Sequence, residues 1–284
     1  MIVFLNGQFL PEEQALVSVF DRGFLYGDGL FETLRVLNGR PFRQDQHWRR
    51  LEQGAAFLGI PLPFGSGALS DHAGQLIAKN QMPDALLRVV LSRGVGLRGY
   101  SPKGAERPTL VMSLHPAPPL NSHDPPGWRL VTSSFCLPAH GHLARFKTCN
   151  KLPQILARAE ADAAGADEAL LLDPDGHVVE GASSNLFWFD ATSLCTPPFT
   201  AGILPGVTRA AVFEIASSLG LPIRELVVAP AELRSAAGVF LSVTSVGIAE
   251  AISLDGSPLP RSARVEQIRA AYNHLLQTET SASL

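Results

Sequence analysis

The chain has 284 residues, 46% hydrophobic and 17% charged, enough to bury the core of one large domain or of two. Its 23 basic and 26 acidic side chains leave a net charge of −3, which gives no electrostatic basis for a nucleic acid or an anionic membrane as partner. No apolar run approaches the roughly 20 residues of a membrane helix, the N-terminus lacks the basic start of a signal peptide, and Cys136, Cys149 and Cys195 have no metal-finger spacing, so a cytoplasmic chain with reduced thiols is expected.

Ile2–Leu5, Asn6-Gly7 and Gln8–Leu10 predict a hairpin closed by a type I′ turn, and Phe31–Leu37, Asn38-Gly39 and Arg40–Phe42 repeat the signal. Gln44 to Leu58 carries Trp48, Leu51, Ala55 and Leu58 at helical spacing, and Ala68 to Asn80 predicts a second helix. Strands follow at Leu86–Leu91 and Thr109–Leu114, separated by a loop from Ser92 to Pro108. The stretch His115 to Gly127 is rich in proline, which removes backbone donors, so it predicts an extended linker. Beyond it we expect a strand at Trp128–Phe135, a loop to Lys147 and a helix at Pro153–Ala164 with Pro153 in its first turn. Strands at Glu168–Leu172, Val178–Val179 and Asn185–Phe189 precede a helix at Val207–Leu219. Strands at Ile223–Val228 and Val239–Val243 and a helix at Val265–Leu276 complete the chain. The expected organisation is α+β, grading into α/β: an N-terminal domain over 1–116, a linker over 117–127 and a C-terminal domain over 128–284. Asp173-Pro174-Asp175-Gly176 is expected to be a β-turn, and His140 and His142 lack a third ligand nearby, so no metal site is expected.

Several segments carry chemistry-bearing residues. Glu180 precedes the small-residue stretch Gly181 to Ser184 and an apolar strand, which lets a ligand or backbone approach closely. Gly202-Ile203-Leu204-Pro205-Gly206-Val207-Thr208-Arg209 leads from a loop into a helix, where free N–H groups point at an anion. Thr244 and Ser245 supply hydroxyls after a buried strand, and Arg49 and Arg50 put guanidiniums of the kind that fork onto a phosphate on one helix. Lys147 lies among apolar and small residues, where desolvation would favour a nucleophilic amine. Singly, each has an ordinary structural reading: a turn acid, a capped helix, a solvated helix face, a surface lysine. Together, a nucleophilic lysine, a carboxylate and several phosphate donors are what pyridoxal phosphate requires.

With these motifs the chain resembles the fold-type IV pyridoxal-phosphate enzymes, a class that holds branched-chain and D-amino-acid transaminases and 4-amino-4-deoxychorismate lyase. The resemblance runs from Asn6-Gly7 to about Pro258, through Asp21 to Thr33, His47 to Leu51, Lys147 with Asn150, Glu180 to Phe187 and Leu204 to Arg209. It implies a two-domain fold with the cofactor between the domains, and homodimers whose subunits both contribute to each pocket. It implies that Lys147 binds the cofactor covalently and shuttles protons, that Glu180 faces the pyridine nitrogen, and that Arg50 clamps the phosphate. Val207, through its backbone N–H, with Thr208, Thr244 and Ser245 would complete the phosphate cup, and Leu204 would pack behind the ring.

Within that class, Ser92 to Ser101 resembles the RGxGxRGYS run of the lyases, and Lys147 to Lys151 resembles their Lys-x-x-Asn-basic order, in which an arginine is usual at the place of Lys151. D-amino-acid transaminases share the arginine matching Arg98, but have a histidine at the place of Tyr100 and a tyrosine at that of Phe31. The resemblance therefore favours a lyase that eliminates pyruvate to give 4-aminobenzoate for folate synthesis, over a transaminase of a D-amino acid or branched-chain L-amino acid. Arg98, Tyr100, Phe31, Thr33 and Arg145 are the residues it assigns to a small amino substrate carrying carboxylates. Arg145 departs from the lyase pattern, which has a small residue there.

Overall fold

A computed structural model describes residues 1–120, 127–138 and 141–281. Residues 121–126, most of the expected linker, and His140 lie outside the described residues. The chain falls into two compact units, the first made of Met1–Pro118, Phe146–Asn150 and Leu276–Leu284, the second of Pro119–Arg145 and Lys151–Leu275.

In the first unit the elements run β1 (Ile2–Leu5), β2 (Gln8–Pro11), α1 (Arg22–Tyr26), β3 (Gly29–Leu37), β4 (Arg40–Pro41), α2 (Gln44–Leu58), α3 (Ser66–Asn80), β5 (Ala85–Ser92) and β6 (Thr109–Pro116). Among the described residues the six strands form one antiparallel sheet in the order β2-β1-β6-β5-β3-β4. Both hairpin turns take the left-handed backbone that a type I′ turn requires, with φ of 48° and 95° at Asn6 and Gly7 and of 53° and 77° at Asn38 and Gly39. Strand alternation sends Leu34, Val36, Leu87, Val89, Leu110 and Met112 to one face, where Trp48 and Leu51 of α2 and Leu69 and Leu76 of α3 cover them. Cutting any one of these leucines to alanine would cost about 2–5 kcal/mol. The opposite face of β3 and β5 carries Phe31, Thr33 and Arg88.

In the second unit the elements are β7 (Trp128–Cys136), α4 (Leu152–Ala163), β8 (Glu168–Leu172), β9 (Val178–Gly181), β10 (Asn185–Phe189), β11 (Leu194–Thr196), α5 (Val207–Ser218), β12 (Ile223–Glu225), α6 (Pro230–Leu233), β13 (Val239–Val243), β14 (Gly247–Leu254), β15 (Ser257–Pro258) and α7 (Ala263–Thr280), whose C-terminal end groups with the first unit. Their sheet runs β12-β11-β10-β13-β14-β7-β8-β9, with β15 on β14. It is mixed: β11–β12, β14–β7 and β7–β8 are parallel. Parallel neighbours need a crossover, and α4 supplies it between β7 and β8. Leu130, Leu170, Leu186, Leu241 and Leu254 form the centre of this core.

The structure adds to the sequence reading at several points. Five-residue α1, four-residue α6 and three-residue β11 are too short for periodicity to register. Strand β14, IAEAISL after Gly247, has few β-branched residues and an acid in its middle, yet Glu250 there is buried and accepts from the backbone N–H of Ser262 at 2.7 Å. Strand β12 stops at Glu225 rather than Val228. The segment Phe146–Asn150, which the sequence places in the C-terminal domain, groups with the first unit. The cause is backbone pairing: β4 covers only Val36 and Leu37 of β3, and the exposed edge further along takes the lysine segment. Phe31 N–H donates to the Lys147 carbonyl and Cys149 N–H to that of Gly29, both at 2.9 Å, with Leu30 opposite Thr148.

Candidate active site

In the first unit the site grows from β3. Glu32, only 1% exposed, points toward α2, where His47 and Arg50 stand three residues apart on one face. Arg50 grips it in two places, Nε to Oε1 and Nη2 to Oε2, each 2.7 Å, and His47 Nδ1 lies 2.7 Å from Oε2. Burial alone would raise the Glu32 carboxyl, but Arg50 and then His47 outweigh it and hold it at about 2. Burial also pushes the His47 imidazole down, with Glu32 acting against it, so at neutral pH the ring is neutral and its Nδ1–H donates to the carboxylate. Arg50 is thus a buried, oriented cation.

The segment bridged to β3 sets the Lys147 ammonium 4.7 Å from the centroid of the Phe31 ring. On the same ring, 3.6 Å from its centroid, lies the guanidinium of Arg88, which donates to Thr33 Oγ1 at 3.2 Å. Arg88 pairs directly across from Thr33 in the β3–β5 register. Lys147, Phe31 and Thr33 are thereby brought together, with Arg88 as a residue that the sequence did not single out. Its only sequence signal is a charge in the middle of an apolar strand, LLRVVLS.

Arg98 and Tyr100 lie in the loop between β5 and β6. Most of their loop has structural work. Arg93 pairs with Asp28 and caps the end of α2 through the carbonyls of Leu58 and Gly59. Arg22 pairs with Asp28 and donates to the carbonyls of Gly99, Tyr100 and Ser101. Gly94 has φ +81°, and a Cβ on it would overlap the Arg107 carbonyl. The loop turns outward the Arg98 side chain and the Tyr100 ring, 87% exposed and edge-on to Tyr26, together with the apolar Val95 and Leu97.

In the second unit Glu180, next to last in β9, accepts from Leu204 N–H at 3.0 Å and Asn185 Nδ2 at 3.1 Å. The same Asn185 nitrogen donates to the Leu204 carbonyl, 3.0 Å, tying the acid to the loop before α5. The small residues beside Glu180 are braced from beneath: buried Glu168 accepts from both hydroxyls, Ser183 at 2.7 Å and Ser184 at 3.1 Å. Helix α5 begins at Val207 and Thr208 with Gly206 as an N-cap that offers no side-chain acceptor, so its first-turn N–H groups lack the usual capping oxygen. A Cβ on Gly206 would overlap Asn185 Oδ1. Arg209 turns away to the Pro197 carbonyl and Glu225, and is structural. Thr244 and Ser245 form the turn between β13 and β14. Arg145 ends a short 3-10 turn at an exposed position in this unit.

This donor set fits pyridoxal phosphate. A phosphate dianion takes an uncapped helix start, hydroxyls and a fixed guanidinium; a pyridinium takes a held carboxylate; an aldehyde takes a lysine amine. Elsewhere, Asp173, Asp175 and His177 place one ligand atom each within 4.8 Å of one another. There the Asp173 carboxylate accepts from the N–H groups of Asp175 and His177, closing the β8–β9 turn that the sequence predicts. No helix of the described residues is long and apolar enough to cross a membrane.

Residues 29–254 match the model of the amino-transferase class IV family, and the chain belongs to that family. It is therefore a pyridoxal-phosphate enzyme of the two-domain fold-type IV architecture. A putative branched-chain-amino-acid aminotransferase of Methanocaldococcus jannaschii is 37% identical over 257 residues, covering 90% of this chain and 88% of that one. The structure of the branched-chain aminotransferase of the thermophilic archaeon Thermoproteus uzoniensis with norvaline superposes with a TM-score of 0.90 at 30% identity, over 98% of this chain and 95% of that one. The 4-amino-4-deoxychorismate lyase of Pseudomonas aeruginosa superposes at 0.82 and 34% identity, over 97% and 98%.

Proposed function

We propose that this chain is a 4-amino-4-deoxychorismate lyase, releasing pyruvate and 4-aminobenzoate. The observation that carries the choice is the Ser92–Ser101 loop. Once Arg93, Gly94 and the backbone of Gly99 to Ser101 have their structural roles, Arg98 and Tyr100 are left as an outward cation and phenol, suited to a substrate carboxylate. Phe31, which has no hydroxyl, departs from the tyrosine that D-amino-acid transaminases have at its place. A second reading, transamination of a D-amino acid or branched-chain L-amino acid, is favoured by the 37% identity to the Methanocaldococcus jannaschii relative.

When bound, pyridoxal phosphate supplies an electron sink for the carbon that bears the substrate amine. Lys147 would hold the cofactor through its amine and, once free, would take the proton from that carbon. The C–O bond to the enolpyruvyl group breaks with its electron pair, the ring becomes aromatic, and the departing enol gains a proton to become pyruvate. Glu180, kept in place by Asn185 and the Leu204 N–H, would pair with the pyridine nitrogen and favour its protonated state. As the resemblance implies, Arg50, fixed by Glu32, would bind the cofactor's phosphate, as would Val207, Thr208, Thr244 and Ser245, and Leu204 would pack against its ring. Arg98, Tyr100 and Arg145 orient the substrate's carboxylates.

The chain is also read as a homodimer. Around the Arg22-anchored loop it exposes Phe20, Phe24 at 73%, and Leu97, apolar surface suited to a second copy. The assay is direct: purified protein given freshly made aminodeoxychorismate, with 4-aminobenzoate followed by chromatography and Lys147→Ala as blank. Lysine-dependent product supports the lyase. Absence of product from protein that carries the cofactor, together with exchange of amino groups between amino and keto acids, would replace it with the second reading.

A further inference from the structure

We propose that Arg22 is a positioning residue for substrate binding: with Tyr26 and Asp28 it fixes the loop that presents Arg98 and Tyr100, on the same three residues that anchor the lysine segment. This role rests on Arg98 and Tyr100 as the substrate-binding pair argued above, and on nothing that separates lysis from transamination. A guanidinium has five N–H donors in a planar fork. Arg22, only 4% exposed, directs Nε to Asp28 Oδ2 at 2.8 Å, Nη1 to the carbonyls of Gly99 at 2.8 Å and Ser101 at 3.2 Å, and Nη2 to that of Tyr100 at 3.1 Å. Three consecutive carbonyls thus converge on one buried cation. Such a grip acts on main chain alone, so it sets the path of residues 99–101 and leaves Arg98 and the Tyr100 ring facing outward.

Tyr26, four residues on in α1, holds the same stretch from a second side. Its hydroxyl accepts from Gly99 N–H at 3.4 Å, and its ring meets the Tyr100 ring edge-on with centroids 5.6 Å apart. The Arg22 guanidinium lies over the Tyr26 ring at 5.1 Å, which ties the two holders together. Nearer the start of the loop, Arg22 N–H donates to the Gly94 carbonyl at 2.9 Å, and a Cβ on Gly96 would stand 3.0 Å from Arg22 Cδ. The loop is therefore seated on Arg22 along most of its length.

Asp28 is the base of this mount. Its carboxylate also takes Arg93, Nε to Oδ2 at 2.8 Å and Nη2 to Oδ1 at 3.1 Å. Burial would raise that carboxyl, but Arg93 and Arg22 hold it below the ordinary aspartate range, so it is anionic at neutral pH. The flanking glycines receive the lysine segment: Cys149 N–H donates to the Gly29 carbonyl at 2.9 Å and Asn150 Nδ2 to that of Gly27 at 3.1 Å. A Cβ on Gly27 would stand 2.8 Å from Asn150 Oδ1. Groups that bind a reacting substrate must be held to within a fraction of an ångström, and a displacement of about 1 Å can cost about 100-fold. The mount is internal to one chain, so it acts equally whether Arg98 and Tyr100 serve the pocket of their own chain or of a second copy.

The test is a double-mutant cycle on holoenzyme, comparing wild type, Arg22→Met, the loop variant Arg98→Met/Tyr100→Phe, and the two combined. Binding of two unreactive carboxylates, 4-aminobenzoate and 4-methylpentanoate, is read from the shift of the cofactor's visible absorbance. The loop variant should weaken binding about 10- to 100-fold, the scale of a lost charge-assisted bond. Arg22→Met should weaken it about 3- to 30-fold, and should add nothing further on top of the loop variant, because Arg22 acts through that loop. Arg22→Lys, which keeps a charge for Asp28 but lacks the fork, should recover part of the loss. The same cycle run with Arg22→Lys keeps the test decisive where Arg22→Met does not fold. Cofactor content and the unliganded band should stay as in wild type, trypsin should cut after Arg98 faster in Arg22→Met, and in turnover KM should move more than kcat. Additive losses, or reduced thermal stability with binding unaltered, would make Arg22 a fold element only and overturn the proposal. A loop variant that binds like wild type would overturn it differently, by removing Arg98 and Tyr100 from the substrate site.

Discussion

Glu32 shows how much of a site's behaviour can rest on a residue that need not touch the ligand. Its carboxyl is held at about 2 against 4.5 for the free group. A depressed acid stabilises the fold fully above its unfolded value and loses that stabilisation as pH falls through its folded one, a gap of about 3 kcal/mol here. Glu32→Gln should therefore unfold in urea with about 3 kcal/mol less stability at pH 7, and the difference from wild type should close between pH 4.5 and 2. A difference that stays constant with pH would show that the charge on Glu32 is not what stabilises. Residue-level legibility follows from the same geometry. Lys147, Arg50 and Glu180 stand in runs whose neighbours mark them. Glu32, His47, Arg88 and Asn185 acquire their meaning from partners across a strand or between strand and helix, and nothing in LLRVVLS tells that Arg88 will meet Thr33 and Phe31.

At the scale of elements, the close fit of α5 to β10 sets the acid. Gly206 sits so near Asn185 that a methyl group would overlap its Oδ1, and Asn185 in turn holds Glu180 and Leu204. Gly206→Ala should cost about 1–3 kcal/mol by overpacking and should release cofactor faster on dialysis, followed by the fading visible band. Gly74→Ala provides the contrast. That glycine is exposed inside α3, and a methyl group on it would meet open space, so the substitution should raise stability by about 0.5–1 kcal/mol. Loss of stability at Gly74, or none at Gly206, would contradict the packing described. Both hairpins and the two long helices of the first unit were legible because two local signals, turn chemistry and apolar period, agree there. Strand β14 and the short α1 were not: the first hides a paired acid, and the second depends on the Asp21 carboxylate accepting from Gly23 N–H.

At the scale of the molecule, the chain divides into two units, and the lysine segment falls in the first because an open backbone edge on β3 recruits it. Sequence patterning does not encode such a recruitment, since Phe146 to Asn150 pairs through main-chain groups that every residue has. The exposed Phe20, Phe24 and Leu97 bear on assembly. Sedimentation velocity should give a dimer at micromolar concentration, and Phe24→Glu should shift it toward monomer and lower turnover. A monomer at every concentration would remove the second copy from the account.

The measurement that bears most directly on the central claim is chemical. The sequence contains four lysines, Lys79, Lys103, Lys147 and Lys151, two of them only four positions apart. Holoenzyme reduced with borohydride, digested and mapped by mass spectrometry should carry the phosphopyridoxyl group on Lys147 and on no other lysine, and Lys147→Ala should carry none. A label on Lys151 or Lys79, or its persistence in Lys147→Ala, would contradict the site as assembled on β3.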